Sequence, residues 1–265
     1  MSKFFNLPAE LIIDIFAWID PSAVLKFQRL SHRINDILSS KNFAVVNMRR
    51  SKPRDPGYHK ISSSPTIWFN LPANHQSEYA TKNLWSLSKI QWRMKLSPLH
   101  NRLPESVGQL NQLVILDLAT CGLAGLIPEA LCSLSVNLRR LNLGSNNLTG
   151  AIPKNIGALN ALEFLFLHNN KLDGCIPSSF AGLKKLRHLC LSENMLSGEI
   201  PNSIFELPAI ESIDLENNLL TGVICLSSIS NGTLRNLNLS NNHQLNIENL
   251  RLNNCKLTGN IAFHI

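Results

Sequence analysis

Residues 138–153 read Leu138-Arg-Arg-Leu141-Asn-Leu143-Gly-Ser-Asn146-Asn-Leu148-Thr-Gly150-Ala-Ile152-Pro153, and this order of residue types recurs along the second half of the 265-residue chain. Copies start at Leu113, Leu138, Leu162, Leu186, Ile210, Leu234 and Ile247, at intervals of 25, 24, 24, 24, 24 and 13 residues. A nearly fixed period of this length is the sequence signature of a solenoid, in which each repeat buries its apolar side against its neighbours.

Each residue type in the repeat has a physical role. Leucines at positions 1, 4 and 6 predict a short strand with alternate side chains pointing inward. A glycine permits a tight bend, and the proline after it stiffens the return segment. An asparagine at position 9 can bond backbone groups that the turn leaves unpaired. These asparagines are Asn146, Asn170, Asn194, Asn218 and Asn242.

The copies resemble the leucine-rich repeat family, in its plant-type Gly-x-Ile-Pro class, over residues 88–265. The resemblance implies an α/β solenoid, a right-handed superhelix with a parallel sheet on its concave face. Residues 88–112 predict a degenerate first repeat with Trp92 and Met94 at the inward strand positions. Cys121 and Cys255 replace the asparagine, which predicts weaker turns. No polar capping repeat precedes Ile265, so we expect a fragment that lacks its C-terminal cap.

A different module opens the chain. Asn6-Leu7-Pro8-Ala9-Glu10-Leu11 predicts a helix start, and apolar residues at helical spacing follow in three short segments. The stretch resembles an F-box over residues 4–48, and a small three-helix module is therefore expected ahead of the solenoid. The resemblance implies a Skp-type adaptor and, through it, a cullin scaffold as partners. The residues expected to contact the adaptor are Leu7, Pro8, Leu11, Ile15, Phe16 and Leu25. Alternatively, several of them only pack helix on helix within the chain.

Residues 49–87 predict a basic linker with one helix, placed over residues 78–94. Its Arg, Lys, Pro and Ser residues suit either a nuclear-localisation or nucleic-acid patch, or a solvated hinge. Residues 1–112 hold 15 Lys and Arg against 7 Asp and Glu, whereas residues 113–265 hold 10 against 11. Because the solenoid is almost neutral, the hinge is favoured and no nucleic-acid partner is expected.

Repeat positions 3 and 5 should point outward on the concave sheet. Seven strands about 4.8 Å apart span about 29 Å, which suits a peptide or a protein surface. Phe164 and Phe166 stand out because exposed aromatic residues often dominate binding energy. Asn249 and Arg251 are expected on the last strand. The candidate substrate-binding residues are Asp117, Arg140, Phe164, Phe166, His188, Cys190 and Asp214.

Enzyme motifs do not occur in this sequence: it has no P-loop, no glycine-rich nucleotide fingerprint and no nucleophile elbow. His168, His188 and Cys190 could hold a metal or form a Cys-His pair, but such pairings arise by chance on long sheets. We therefore expect no catalytic residue, no metal and no cofactor.

Two functional hypotheses follow. The first is the substrate-recognition subunit of a Skp-cullin-F-box ubiquitin ligase, binding a target protein on the concave face. The alternative is a non-enzymatic protein-interaction scaffold or signalling module, whose N-terminal helices only cap the solenoid. The chain has neither an apolar run long enough to span a membrane nor a signal-peptide core, so it is expected in the cytoplasm, with a nuclear pool left open.

Overall fold

The computed structural model describes residues 9, 13, 36–38, 40, 43, 68–69, 71, 73–91, 101–225, 232–248 and 261–262, which belong to two compact units, Met1–Ser86 and Leu87–Ile265. In the first unit, an α-helix over Ala73–Tyr79 continues as a π-helix over Ala80–Leu84. Trp68 is fully buried, and the His75 ring lies 5.3 Å from that of Phe43. The basic and Ser/Pro-rich residues 49–65, for which a solvated hinge was expected, lie outside the described residues.

The bounds expected for the helix over residues 78–94 are wrong. Helical structure begins at Ala73 and ends at Leu84, and Lys89–Gln91 is a strand. In that strand Ile90 is buried between two exposed neighbours, a period of two that suits a strand with one face in a core.

In the part of the second unit that the structure describes, eight strands form one parallel sheet, which we call the main sheet. Neighbouring strands come from successive repeats and pair in register, so that Leu141 lies between Leu116 and Leu165. The strands, in order, are Lys89–Gln91, Ile115–Asp117, Arg140–Asn142, Phe164–Phe166, His188–Cys190, Ser212–Asp214, Asn236–Asn238 and Ile261–Ala262.

One column of aliphatic side chains fills the inner side of the main sheet. Every described member is at most 1% exposed, and burying such a side chain contributes about 1.5–3 kcal/mol. The column consists of Ile90, Leu116, Leu141, Leu165, Leu189, Ile213 and Leu237.

The return segments form the remaining elements. One small parallel sheet joins Ala124–Gly125, Asn147–Ala151 and Lys171–Asp173, and another joins Ser197–Glu199, Leu219–Cys225 and Gln244–Glu248. Short 3-10 helices follow the repeat prolines from Pro104 to Pro201, at Glu105–Gln109, Glu129–Ser133, Ile156–Ala158, Ser178–Gly182 and Asn202–Ile204.

The predicted role of the position-9 asparagines is confirmed. The Asn170 side-chain amide donates to the carbonyls of Leu143 and Leu167 at 3.0 Å, and its oxygen accepts the Leu148 N–H at 3.0 Å. The other four asparagines repeat this pattern. Each one therefore joins its own turn to the preceding repeat.

Both ends of the main sheet differ from expectation. The inward residue that pairs with Leu116 is Ile90, whereas Trp92 and Met94, which were expected at the inward positions, lie outside the described residues. Asn249 and Arg251, expected on the last strand, lie outside the described residues, and the strand that pairs with that of Leu237 is Ile261–Ala262. A full turn of the solenoid takes about 24 residues, so the 13-residue copy is too short to return to the main sheet. Its residues Gln244–Glu248 pair instead with Leu219–Cys225.

Candidate protein-binding site

The outward side of the main sheet, called here the open face, is arranged in rows set by the strand register. Position 3 supplies Lys89, Ile115, Arg140, Phe164, His188, Ser212 and Asn236. Position 5 supplies Gln91, Asp117, Asn142, Phe166, Cys190, Asp214 and Asn238. Register therefore brings the candidate residues together on one face, although they are far apart in sequence.

An aromatic cluster occupies the middle of the open face. Its members are Arg140, Phe164, Phe166, His168 and His188, all of them half-buried. The Phe164 ring stacks on the His188 ring with centroids 5.1 Å apart, and it lies 6.3 Å from the Phe166 ring. The Arg140 guanidinium carbon lies 5.0 Å from the centre of the Phe166 ring and 5.7 Å from that of Phe164. These are cation–π distances, so the cluster is ordered by its own contacts.

Sequence reasoning considered His168 only for a metal site or a Cys-His pair and missed its place in this cluster. Its ring meets that of Phe166 edge-on, with centroids 6.5 Å apart. The ring also covers Gly144, where an added Cβ would lie only 2.3 Å from the His168 Cε1. The sequence did contain a signal for this contact, because position 7 is glycine in one repeat (Gly144) and histidine in the next (His168).

Asp117 was predicted at the binding surface, but the structure buries it to 1% exposure. Its carboxylate accepts hydrogen bonds from Gln91 Nε2 at 3.3 Å and from the Ala119 N–H at 3.4 Å. The second bond holds the turn after the strand, as Asp214 does for the Glu216 N–H at 3.2 Å. An acid or amide at position 5 thus has a structural role, and Asp117 is not available to a partner.

Cys190 is partly buried and lies 3.3 Å from Ser192 Oγ and 3.4 Å from Asp214 Oδ2. Burial is the main reason that the pKa of this thiol is raised to about 11, and the Asp214 carboxylate adds to the rise. The thiol is therefore protonated at neutral pH, which is the opposite of what a nucleophile needs. The His188 Nε2 faces Glu211 Oε2 at 3.8 Å, and the described residues contain no cluster of three metal-ligating side chains.

Charged side chains at position 2 line one edge of the main sheet. Arg187 bonds Glu211 through two nitrogens, at 2.9 Å and 2.6 Å, and Arg139 lies 3.5 Å from Glu163. The hydrogen bond from Arg187 is the main reason that the pKa of Glu211 is lowered. These ion pairs join adjacent repeats and leave the aromatic cluster beside a polar border.

The residues expected to bind the adaptor lie outside the described residues. They are Leu7, Pro8, Leu11, Ile15, Phe16 and Leu25. No helix in the described part of the chain is long and apolar enough to cross a membrane.

Comparison with known families identifies both parts of the chain. The F-box domain family matches residues 4–45, and leucine-rich repeat families match residues 112–134, 137–159 and 169–220.

Similar proteins share the repeats over short stretches. The LRR receptor-like serine/threonine-protein kinase GSO2 of Arabidopsis thaliana is 43% identical over 58 residues, 22% of this chain and 5% of that protein. Receptor kinase-like protein Xa21 of Oryza sativa subsp. japonica is 42% identical over 57 residues, 22% of this chain and 6% of that protein. The chain thus spans only about a twentieth of these relatives.

One solved structure supports the solenoid fold over most of the chain. The LRR ectodomain of the Arabidopsis receptor kinase HAESA, in complex with a peptide hormone ligand, aligns with a TM-score of 0.60 and 29% identity. The alignment covers 74% of this chain and 32% of the ectodomain.

Proposed function

Since the chain is an F-box protein with leucine-rich repeats, we propose that it is the substrate-recognition subunit of a Skp-cullin-F-box ubiquitin ligase. One observation carries the proposal: an F-box domain at residues 4–45 precedes leucine-rich repeats from residue 112 in the same chain. The F-box binds a Skp-type adaptor, and the open face of the solenoid binds the target protein.

The proposed mechanism is proximity, without catalytic chemistry in this chain. The adaptor and cullin hold a ubiquitin-charged enzyme, and the solenoid holds the target beside it. Joining two binding modules makes their encounter effectively intramolecular, which raises the local concentration of the target. The protonated thiol of Cys190 agrees with a binding role for the open face.

The geometry of the open face supports binding of a polypeptide. Its aromatic cluster combines two phenylalanines with an arginine, and aromatic residues and arginine dominate the energetic centres of protein interfaces. The HAESA ectodomain, whose fold is similar, was solved with a peptide hormone ligand. A solenoid of similar fold thus binds a polypeptide in that protein, and we infer polypeptide binding for the open face here.

The decisive experiment is co-purification of the tagged full chain with a Skp-type adaptor. A Leu7→Ala/Pro8→Ala double variant should lose the adaptor, because these residues are expected at the contact. Phe166→Ala is the matched control, since it truncates an apolar residue of the open face and should retain the adaptor. Absence of adaptor from the folded wild-type preparation contradicts the ligase proposal. Retention of the adaptor by the double variant contradicts the contact role of Leu7 and Pro8.

A further inference from the structure

We propose that the target segment is an extended peptide carrying an acidic residue, an aromatic residue and a basic residue at positions i, i+2 and i+4. This inference rests on the proposed function, in that the open face binds the target. The peptide runs across the strands of the main sheet, with its aromatic side chain on the aromatic cluster.

The aromatic cluster supplies the central anchor. Phe164 and Phe166 are half-buried on an outward face where most neighbours are polar, and their rings lie 6.3 Å apart. The His188 ring extends the apolar surface to the next strand by stacking on Phe164. A flat aromatic side chain gains both apolar burial and ring contacts on such a surface, which favours it over a small or charged residue.

The side of the cluster toward the first repeat is positive. Arg140 contacts the two phenylalanine rings, and within the described parts of the chain no carboxylate lies within ion-pair distance of its guanidinium. Lys89 is exposed two strands before it in the same row. The acid between them, Asp117, is buried and bonded to Gln91 and its own turn. An acidic residue of a partner would therefore find an unneutralised cation here.

The side toward the last repeats is negative. Asp214 is bonded by the Cys190 thiol and the Glu216 N–H, and the Glu216 carboxylate accepts from Asn238 Nδ2 at 2.9 Å. All these donors are uncharged, so none of these contacts is an ion pair. At the border, Arg187 is bonded to Glu211, and the charge of Arg235 on the next repeat also acts on Glu211. A basic residue of a partner would be attracted to the Asp214 side.

The spacing of the three features sets the spacing in the peptide. Arg140 and Asp214 lie on strands three steps apart, which corresponds to about 14 Å at about 4.8 Å per step. An extended chain rises about 3.3 Å per residue, so about four residues bridge this distance. Side chains at i, i+2 and i+4 of an extended chain share one face, so all three would point toward the sheet.

Fluorescence anisotropy of the full chain with labelled nine-residue peptides tests the inference. The probe has Asp, Phe and Arg at its third, fifth and seventh positions in a Gly/Ser background. Its isomer has the same composition with the charges moved to the fourth and sixth positions, which places them on the opposite face. We expect the probe to bind about tenfold more tightly than the isomer, because only the probe presents all three groups to the sheet.

Two variants locate the binding. Phe166→Ala should weaken the probe about tenfold or more, whereas Leu219→Ala, which truncates an exposed residue of a small sheet, should leave its affinity unchanged. Arg140→Glu should also weaken the probe, and replacing the peptide Asp by Lys should restore binding to this variant. A purely structural role of Arg140 would not give that rescue.

The outcomes separate this inference from the proposed function. Equal binding of probe and isomer, or no binding at about 1 mM peptide, overturns the proposed peptide class. If the same preparation retains the adaptor, the ligase proposal remains in place. If the chain binds the probe selectively but does not retain the adaptor, the ligase proposal is overturned and the proposed peptide class is supported.

Discussion

At the residue scale, two features recur in the turns after the main-sheet strands, although Cys121 replaces the asparagine in the first full repeat. One is the position-9 asparagine, whose amide bonds carbonyls of two repeats. The other is the residue before it, which has a positive φ in every described full repeat, for example 51° at Asn169 and 56° at Glu193. The left-handed conformation is unfavourable for most residues with a side chain, so the asparagine bonds offset this cost.

Asn170→Ala tests the importance of these bonds. The change leaves the Leu148 N–H and the carbonyls that Asn170 serves without this partner in the interior. We expect the free energy of unfolding to fall by about 2–4 kcal/mol in urea denaturation. Asn155→Ala, at an exposed asparagine, should change it by less than about 0.5 kcal/mol. Similar losses in both variants would contradict the buried role of the asparagine.

The thiols should differ in reactivity. Iodoacetamide near pH 8 should modify the exposed Cys175 well before Cys190, because the thiolate is the reactive form and burial raises the pKa of Cys190 to about 11. The unfolded chain releases this proton near pH 9 while the folded chain keeps it, so the contribution of Cys190 to stability falls as the pH rises from about 9 to 11.

Mass spectrometry of the alkylated peptides measures both cysteines in one sample. In denaturant the two should react at similar rates, since burial no longer separates them. Equal rates in the folded chain would contradict the protected environment of Cys190.

At the scale of elements, the short 3-10 helices of successive repeats stack closely. A Cβ added at Gly157 would lie 1.8 Å from the backbone oxygen of Ser179, and one at Gly182 would lie 2.5 Å from the oxygen of Gly157. These glycines are required by the approach of one backbone to the next. The main-sheet strands alone therefore do not determine the distance between repeats.

Gly157→Ala tests this packing. The methyl group cannot fit against a backbone oxygen without displacing the next helix, so we expect a loss of about 1–3 kcal/mol in thermal or urea unfolding. Ala158→Ser, at the exposed neighbour in the same 3-10 helix, is the control and should have little effect. An unchanged melting temperature in Gly157→Ala would show that adjacent helices can separate at little cost.

At the scale of the whole molecule, the hydrogen bonds of the position-9 asparagines connect each repeat to its neighbour. The Leu167 carbonyl accepts hydrogen bonds from both Asn170 and Asn194, which belong to successive repeats. Leu143 and Leu191 have the same double role. Coupling between sites should therefore depend on how many repeats separate them.

Double-mutant cycles measure this coupling. Asn170→Ala and Asn194→Ala should be non-additive by about 0.5 kcal/mol or more, because both remove a donor to the Leu167 carbonyl. Asn146→Ala and Asn242→Ala share no acceptor and should add within about 0.5 kcal/mol. Equal coupling in both pairs would contradict a nearest-neighbour description.

The sequence alone determined the repeat architecture. Leucines at positions 1, 4 and 6 predict an inward column, and Leu116, Leu141 and Leu165 occupy it. Local periodicity suffices because each repeat packs mainly on copies of itself. The F-box domain at the front was recognised from its opening residues, and the family comparison matches it over residues 4–45.

Only the tertiary structure decided which outward residues are accessible and where the repeats end. Asp117 and Asp214 have the same repeat position, yet the first is buried and accepts a hydrogen bond from Gln91 of the preceding strand. His168 joined the aromatic cluster because the neighbouring repeat offers Gly144. Such outcomes depend on side chains about 24 residues away, which register brings into contact and periodicity does not specify.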